Sequence, residues 1–229
     1  MDEKWSSGIR VLAQNSEQFK TMSIGGLQFI DSFQHLPSSL DTLAQNLLRD
    51  CFKESLAAAD FPNVTCDLFV FCQEELPWIE FVRKYISMRD AREKFSSLSE
   101  EFPEDEKFCL LLKKGVFPYS WFDDPEKLTE PSLTSIDDFT DVLTQSHCGV
   151  QNYQYAKKVW DVFHCVSFHQ YMELYLKTDV LLLADVMRNY RRVSMVNYKL
   201  DPLWYITAPS LSLSAALKKT GVADGHGNV

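Results

Sequence analysis

The spacing of apolar residues predicts a chain built mostly from helices, with the longest helix at Phe168–Tyr198. This stretch contains no Pro or Gly, is rich in Leu, Met, Ala, Lys and Arg, and repeats its apolar residues at helical spacing. Residues 180–183 are apolar all round, which predicts a helix that is buried on most of its sides. Tyr175 and Asp179 stand four residues apart, so they project from the same face of this helix.

A carboxylate on a buried helix is costly unless a cation or a hydrogen-bond donor meets it. A divalent metal ion would satisfy Asp179, but an Arg side chain or a backbone donor would satisfy it equally well. Asp185 lies six residues further along, about 120° away around the helix. We therefore expect Asp185 to be an exposed or paired charge rather than a second metal ligand.

The first part of the chain predicts a strand followed by an amphipathic helix. Gly25 and Gly26 turn the chain into an apolar strand over residues 27–32, and a short apolar patch at residues 9–12 could form an edge strand. Ser38 can cap a helix that carries an apolar stripe of Leu40, Leu43, Ala44, Leu47 and Leu48. A strand, a bend and a helix that packs back form an α/β unit, in which sites usually lie at strand ends.

The remaining elements follow from shorter patterns. We predict a buried strand at 66–72, an acidic and solvated connection at 96–107, a flexible tail at 223–229, and helices at 76–91, 135–144, 152–163 and 209–219. Between them, the segment 113–122 combines two lysines, a glycine and a cluster of aromatic residues. Such a loop suits the close approach of a phosphate backbone and stacking on unpaired bases. Aromatic residues that seal a small core beneath the loop would give the same pattern.

Charge and cysteine content narrow the function classes. The 229 residues are 45% hydrophobic and carry a net charge of −9, which argues against a self-sufficient nucleic-acid coat protein. The charge is uneven, because residues 150–220 hold nine Lys and Arg against five Asp and Glu. Six cysteines without a C-x-x-C pair, no secretory leader and no long apolar run indicate an intracellular protein with reduced thiols and no membrane segment.

Four segments, FIDSFQHL, KGVFPY, YLKTDVLLLADV and LDPLWYITAPSLSLSAALKKTGV, occur in this order. Together they resemble protein-primed, family-B DNA polymerases of viruses, organellar plasmids and large self-replicating DNA transposons. The resemblance covers most of residues 9–56 and 92–222. It implies a DNA-directed DNA polymerase with a 3′–5′ exonuclease of ribonuclease H-like fold, which uses Mg²⁺ or Mn²⁺. The implied partners are single-stranded and primer–template DNA, deoxynucleotides and a terminal protein primer.

The resemblance also implies roles for individual residues. Tyr175 and Asp179 match the third exonuclease motif, Y-x-x-x-D, so that Asp179 would bind metal and Tyr175 would orient the attacking water. Lys114, followed by two residues and the apolar Phe117, would place a positive charge near the scissile phosphate. Ser32 begins a motif that contacts single-stranded DNA and the terminal protein, with Phe33 in place of the family's Leu.

The same resemblance implies a division of the chain and marks what is missing from it. Residues 1–56 would form a strand–helix part of the exonuclease domain, 57–105 an insertion or acidic linker, 106–200 the C-terminal part of that domain, and 201–229 the start of the palm with the flexible tail. The first exonuclease motif, D-x-E, does not precede Ser32, the second motif is missing, and the palm signature Y-x-D-T-D is absent.

We therefore expect an α/β, helix-rich fragment that is inactive alone, either from an incomplete gene model or from a decayed mobile element. The alternative is a non-catalytic remnant that binds single-stranded DNA or a protein. A standalone nuclease of unrelated mechanism is a third reading.

Overall fold

The computed structural model describes residues 9–13, 19–58, 68–70, 73, 76–140 and 147–221. The chain divides into two compact units. The terminal unit comprises residues 1–39 and 187–229, and the central unit comprises residues 40–186. By sequence, the terminal unit holds nine Lys and Arg against six Asp and Glu, a net +3, whereas the central unit holds fourteen against twenty-six, a net −12. The acidic residues are thus concentrated in the central unit, whereas the basic residues are spread over both units.

The fold is helix-rich with one small antiparallel sheet, which agrees with the coarse α/β prediction. The strands are β1 (Arg10–Ala13), β2 (Phe19–Ile24) and β3 (Leu27–Ile30). The helices are α1 (Leu40–Ala58), α2 (Trp78–Tyr85), α3 (Met88–Lys94), α4 (Ser96–Glu101), α5 (Asp105–Leu110), α6 (Val150–Val162), α7 (Phe168–Tyr198) and α8 (Ala208–Thr220). The predicted bounds of α7 are confirmed, and those of α6 and α8 are correct to within two residues.

The terminal unit contains the sheet, in which β2 pairs with β1 on one side and with β3 on the other. Gly25 and Gly26 have φ angles of 56° and 88°, which side-chain-bearing residues rarely adopt, and this pair turns β2 into β3. The predicted strand at 27–32 ends early, at Ile30, because Asp31 caps a 3₁₀ turn at Ser32–Gln34. Within the described residues, the sheet is an antiparallel meander rather than the strand end of a β–α unit.

The central unit is organised around buried aromatic side chains. Phe52 of α1 meets Phe69, Phe81 and Tyr85 with ring centroids 5.3–6.1 Å apart. A second cluster joins α6, α7 and the loops between α5 and α6, with Phe139, Tyr155, Phe168 and Tyr171 at its centre. Each fully buried Phe contributes roughly 1.5–3 kcal/mol of transfer free energy, so both clusters stabilise this unit.

Three predictions in the middle of the chain are wrong. The strand at 66–72 is contradicted at residues 68–70, which are helical, while its other positions lie outside the described residues. The helix at 76–91 is two helices, because Ser87 caps α3 by accepting from Asp90 N–H. The acidic connection at 96–107 forms α4 and α5, whose charged residues face outward while Leu98, Phe108 and Leu110 are buried. With six residues each, these two helices are too short for a helical repeat to be recognised within an acidic segment.

Two further expectations need correction or fall outside the description. Helix α7 is not buried on most sides at residues 180–183, since Val180 is 66% exposed while Leu182 is fully buried. The helix predicted at 135–144 is a 3₁₀ turn at Ile136–Phe139, and residues 141–146 lie outside the described residues. The tail at 223–229 also lies outside them. Of the helices that are described, none combines the length and the apolar character that crossing a membrane requires.

Candidate functional site

The candidate site is a cluster of polar side chains where α7 meets the loop that follows α5. Tyr175 and Asp179 project from one face of α7, as their spacing predicted. Tyr175 is buried, and its ring packs against Phe117 with centroids 5.1 Å apart. The loop passes next to this ring, since a Cβ built on Gly115 would lie at the ordinary van der Waals distance of 3.4 Å from it.

The loop places Lys114 against this face of α7. Its Nζ lies 3.1 Å from Asp179 Oδ2 and donates a hydrogen bond to the Tyr175 hydroxyl. The same ammonium lies 4.7 Å from the centroid of the Tyr175 ring. The structure therefore brings together Lys114, Tyr175 and Asp179, the three residues to which the sequence analysis assigned exonuclease roles.

Buried hydroxyl groups fix the course of the loop below the cluster. Tyr171 of α7 donates to Val116 O at 2.6 Å, and Tyr155 of α6 donates to Leu110 O at 2.8 Å. Both side chains are buried, so losing either hydrogen bond would leave a desolvated carbonyl oxygen. These anchors hold the backbone on both sides of Lys114 and so determine where its ammonium can reach.

Tyr119 also belongs to the cluster, although its sequence position marks it only as one of the aromatic residues of the loop. Its hydroxyl shares a hydrogen bond of 2.7 Å with the Tyr175 hydroxyl, and the residue is 64% exposed. Tyr119 thus connects the buried phenol to the surface. The segment KGVFPY contained this residue, but spacing within a loop does not predict which side chain turns inward.

The environment of Tyr175 keeps its phenol protonated. Burial raises the pKa of Tyr175 far above its usual value, and the hydrogen bond with Tyr119 and the negative charge of Asp179 raise it further. A neutral phenol can donate a hydrogen bond, whereas a phenolate cannot. The cluster therefore presents a hydroxyl donor, an ammonium and a carboxylate within hydrogen-bond distance of one another.

Asp179 has an unused oxygen. Oδ2 faces Lys114, but Oδ1 is buried without a hydrogen-bond partner. A buried oxygen of a carboxylate without a partner is costly, and a bound cation or water would remove that cost. Oxygen is the ligand atom that Mg²⁺ prefers, so Oδ1 fits a role as one ligand of such an ion. Across the described residues, no three His, Cys, Asp or Glu side chains converge on a possible metal position.

Asp185 stabilises a neighbouring helix rather than belonging to the cluster. It is fully buried, and its two carboxylate oxygens accept from Ser97 N–H at 2.7 Å and Leu98 N–H at 3.0 Å. It therefore caps the N-terminus of α4 from a distant point in the sequence. Asp185 is therefore not exposed, as one of the two expectations had it, and its carboxylate is satisfied by backbone N–H groups.

Ser32 and Phe33, predicted to contact single-stranded DNA, lie in the terminal unit, whereas the Tyr175 cluster lies in the central unit. They form the 3₁₀ turn that follows β3, and the Phe33 ring is exposed. A small cavity of about 10 Å³, enough for roughly one water molecule, lies beside Gly115, Tyr155 and Tyr175.

No protein-family model matches this chain, and no curated protein or solved structure matches it either.

Proposed function

We propose that this chain is part of a DNA-directed DNA polymerase and that Lys114, Tyr175 and Asp179 belong to its 3′–5′ exonuclease centre. The observation that supports this most is the convergence of the three side chains. Lys114 and Asp179 are 65 residues apart in sequence, yet Nζ lies 3.1 Å from Oδ2. The sequence segments that suggested the roles contain no information about this contact, so the contact is independent support for them.

Each side chain has a chemical task in hydrolysis of a terminal phosphodiester. Asp179 would hold Mg²⁺ or Mn²⁺ through its unpartnered Oδ1, and the metal would supply Lewis acidity at the phosphate. Tyr175 would orient the attacking water with its neutral hydroxyl. Lys114 would stabilise the negative charge that develops on the phosphate oxygens. Tyr119 would hold the Tyr175 hydroxyl in position through their shared hydrogen bond.

The finer fold assignment is part of the same proposal. The helix-rich central unit would correspond to the later part of a ribonuclease H-like exonuclease domain. The carboxylates of the other exonuclease motifs and of the palm would lie elsewhere in the complete polymerase. Because catalysis by two metal ions requires several carboxylates, we propose that this chain alone neither hydrolyses nor extends DNA.

Long-read sequencing of the transcript and of the flanking locus tests the polymerase assignment directly. We expect an open reading frame that adds a D-x-E motif upstream and a Y-x-D-T-D motif downstream of these 229 residues. Stop codons on both sides would contradict the assignment and would favour the non-catalytic, DNA- or protein-binding remnant.

The exonuclease assignment is tested on the protein encoded by that frame. Release of the 3′-terminal nucleotide from single-stranded DNA is measured with Mg²⁺, and with Mn²⁺ in parallel. Asp179→Ala should abolish release, and Lys114→Ala should slow it about a hundredfold or more. Asp161→Ala removes an exposed carboxylate of α6 and serves as the matched control, which should be as active as the wild type. Equal activity of Asp179→Ala and Asp161→Ala would contradict the assignment.

A further inference from the structure

The side chain of Lys113 lies between two aromatic rings of the central unit. Its Nζ is 4.3 Å from the centroid of the Tyr155 ring and 5.1 Å from that of the Trp78 ring. Hydrogen bonds to the chain just before Lys113 hold both rings, since Trp78 Nε1 donates to Cys109 O at 2.9 Å and the Tyr155 hydroxyl donates to Leu110 O at 2.8 Å. The ammonium therefore lies against two ring faces whose positions are fixed.

These rings replace water around the ammonium without replacing its hydrogen bonds. A lysine ammonium carries three N–H donors. In the part of the chain that the structure describes, the Lys113 ammonium has neither an ion pair nor a hydrogen bond. The ring faces attract its positive charge, but they offer no lone pair in the place of a water oxygen. Burial lowers the pKa of Lys113 below its ordinary value, although the negative charge of Asp41 opposes this shift.

Two other lysines of the central unit share the ring contact but not the burial. Lys84 Nζ lies 5.0 Å from the centroid of the Tyr85 ring, and Lys157 Nζ lies 4.8 Å from that of the Tyr153 ring. Both lysines are exposed, whereas Lys113 is only partly exposed. Comparison of Lys113 with these two residues therefore isolates the effect of burial from that of the ring contact.

The next residue, Lys114, shares the partial exposure but not the lack of polar partners. Its ammonium pairs with Asp179 and donates to the Tyr175 hydroxyl. Lys114 must give up both contacts before the lone pair of its nitrogen can react. The Lys113 amine can react without breaking an ion pair within the described residues, so the two adjacent lysines should differ in reactivity.

Desolvation makes a lysine amine a better nucleophile at neutral pH, because only the deprotonated amine has a free lone pair. The two rings leave room beside the Lys113 nitrogen for a small electrophile only. A group that brings a new charge would replace one desolvated charge by another. Transfer of an acyl group converts the amine into a neutral amide, which does not bear the cost of burying an ammonium. A small acyl donor therefore fits this position best.

We propose that Lys113 is an acylation site that takes small acyl groups, such as acetyl, from acyl thioesters. The lone pair of the amine attacks the thioester carbonyl, so that a C–N bond forms and the C–S bond breaks. The thiolate leaves with the electron pair of that bond and takes up the proton that the nitrogen releases. The products are a neutral amide and a thiol. The proposal depends neither on the polymerase assignment nor on a metal ion at Asp179.

Competitive labelling of the full chain measures the reactivity of each lysine. A trace of isotopically labelled acetic anhydride is applied at a series of pH values, and the remaining amines are acetylated with unlabelled reagent after unfolding. Fragment-ion mass spectrometry then separates adjacent residues. Labelling of Lys113 should reach half of its maximum at a lower pH than labelling of Lys84 and Lys157. Acetyl-coenzyme A at mildly alkaline pH should acetylate Lys113 several-fold more than Lys114.

Two kinds of variant change the surroundings of the amine in opposite directions. Asp41→Asn removes the negative charge that favours the ammonium, so labelling of Lys113 should move to a still lower pH and its acetylation should increase. Asp50→Asn removes another exposed carboxylate of α1 and is the matched control, which should behave as the wild type does. Trp78→Leu admits water and should move labelling of Lys113 to a higher pH, towards that of Lys84. Circular dichroism of each variant verifies that the fold is intact.

The same labelling curve for Lys113 as for the two exposed lysines would overturn the proposal, as would acetylation of Lys114 to the same extent as Lys113. Equal shifts in Asp41→Asn and Asp50→Asn would also overturn it, because the reactivity would then follow the net charge rather than the surroundings of the amine. These measurements use neither DNA nor a metal ion. The acylation site can therefore stand if the polymerase assignment fails, and it can fail while the exonuclease assignment stands.

Discussion

The central and terminal units differ in how completely they bury their apolar side chains. In the central unit, large side chains such as Phe52, Phe81 and Phe108 are completely buried. In the terminal unit, the sheet leaves Val11, Leu27 and Phe29 about half exposed or more. The units also differ in charge, with a net −12 in the central unit against +3 in the terminal unit.

This difference places the main source of stability in the central unit. Burial of apolar area is the main favourable term in folding, and the central unit holds nearly all of the buried apolar side chains among the described residues. Segments with few buried contacts open at lower free energy than the core does. We therefore expect the terminal unit to open at lower free energy than the central unit, which should unfold last.

The largest expected effect compares one buried ring with one exposed ring. Phe52→Ala should lower the free energy of unfolding by about 3–5 kcal/mol, because its fully buried ring contacts three other aromatic residues. Phe29→Ala in β3 should cost less than about 1 kcal/mol, since that ring is 51% exposed. Urea unfolding of both variants measures the difference. Equal losses would show that the sheet face is buried in solution.

A smaller effect is expected at the buried carboxylate of the central unit. Asp185→Ala should lower the free energy of unfolding by about 3 kcal/mol, because two buried N–H groups of α4 lose their acceptor. Asp185→Asn keeps the shape and one acceptor oxygen, so it should lose about half as much. If thermal unfolding shows both variants to be as stable as the wild type, α4 does not depend on this cap.

The smallest effect concerns the corresponding carboxylate of the terminal unit. Burial opposes ionisation of Asp201, but the hydrogen bonds from Arg191 and from Leu203 N–H prevail and lower the pKa of Asp201 below its usual value. A lowered pKa means that the pair stabilises the fold above about pH 4 and that this contribution is lost as the pH falls through the folded-state pKa. For such an exposed pair we expect about 0.5 kcal/mol.

The measurement is the difference in unfolding free energy between the wild type and Asp201→Asn at pH 7 and at pH 3. Asn retains an acceptor for Leu203 N–H, so the variant isolates the ion pair. The difference should be smaller at pH 3 than at pH 7, because a lowered pKa makes the contribution of the pair fall as the pH drops below the unfolded-state value. A difference that does not change with pH would assign the effect to the cap of the turn rather than to the charge.

Sequence patterns predicted the long elements, but they did not predict that Tyr119 belongs to the cluster. The bounds of α7 followed from an uninterrupted helical repeat of 31 residues, and the common face of Tyr175 and Asp179 followed from their spacing. The contact of Lys114 with Asp179 could not be predicted from the residues alone, because it depends on how the loop packs against α7. The resemblance to DNA polymerases indicated the three residues but not their distances.

The shorter helices were not predicted, and the reason is physical. Helices α4 and α5 have six residues each, too few for a helical repeat to stand out from an acidic connection. An isolated helix of this length is unstable in water, so tertiary contacts rather than propensity hold it in place. The burial of Asp185 could not be predicted either, because the N–H groups that it accepts from, those of Ser97 and Leu98, lie 88 and 87 residues away in sequence.

The tertiary cap of α4 has a consequence for the exchange of amide hydrogens with solvent. The first amides of a helix have no acceptor within the helix, so at most helix starts they exchange with deuterium early. At the start of α4 the Asp185 carboxylate binds the amides of Ser97 and Leu98, and Leu98 is fully buried. These two amides should therefore exchange only when α7 separates from α4, at the slow rate of the surrounding core.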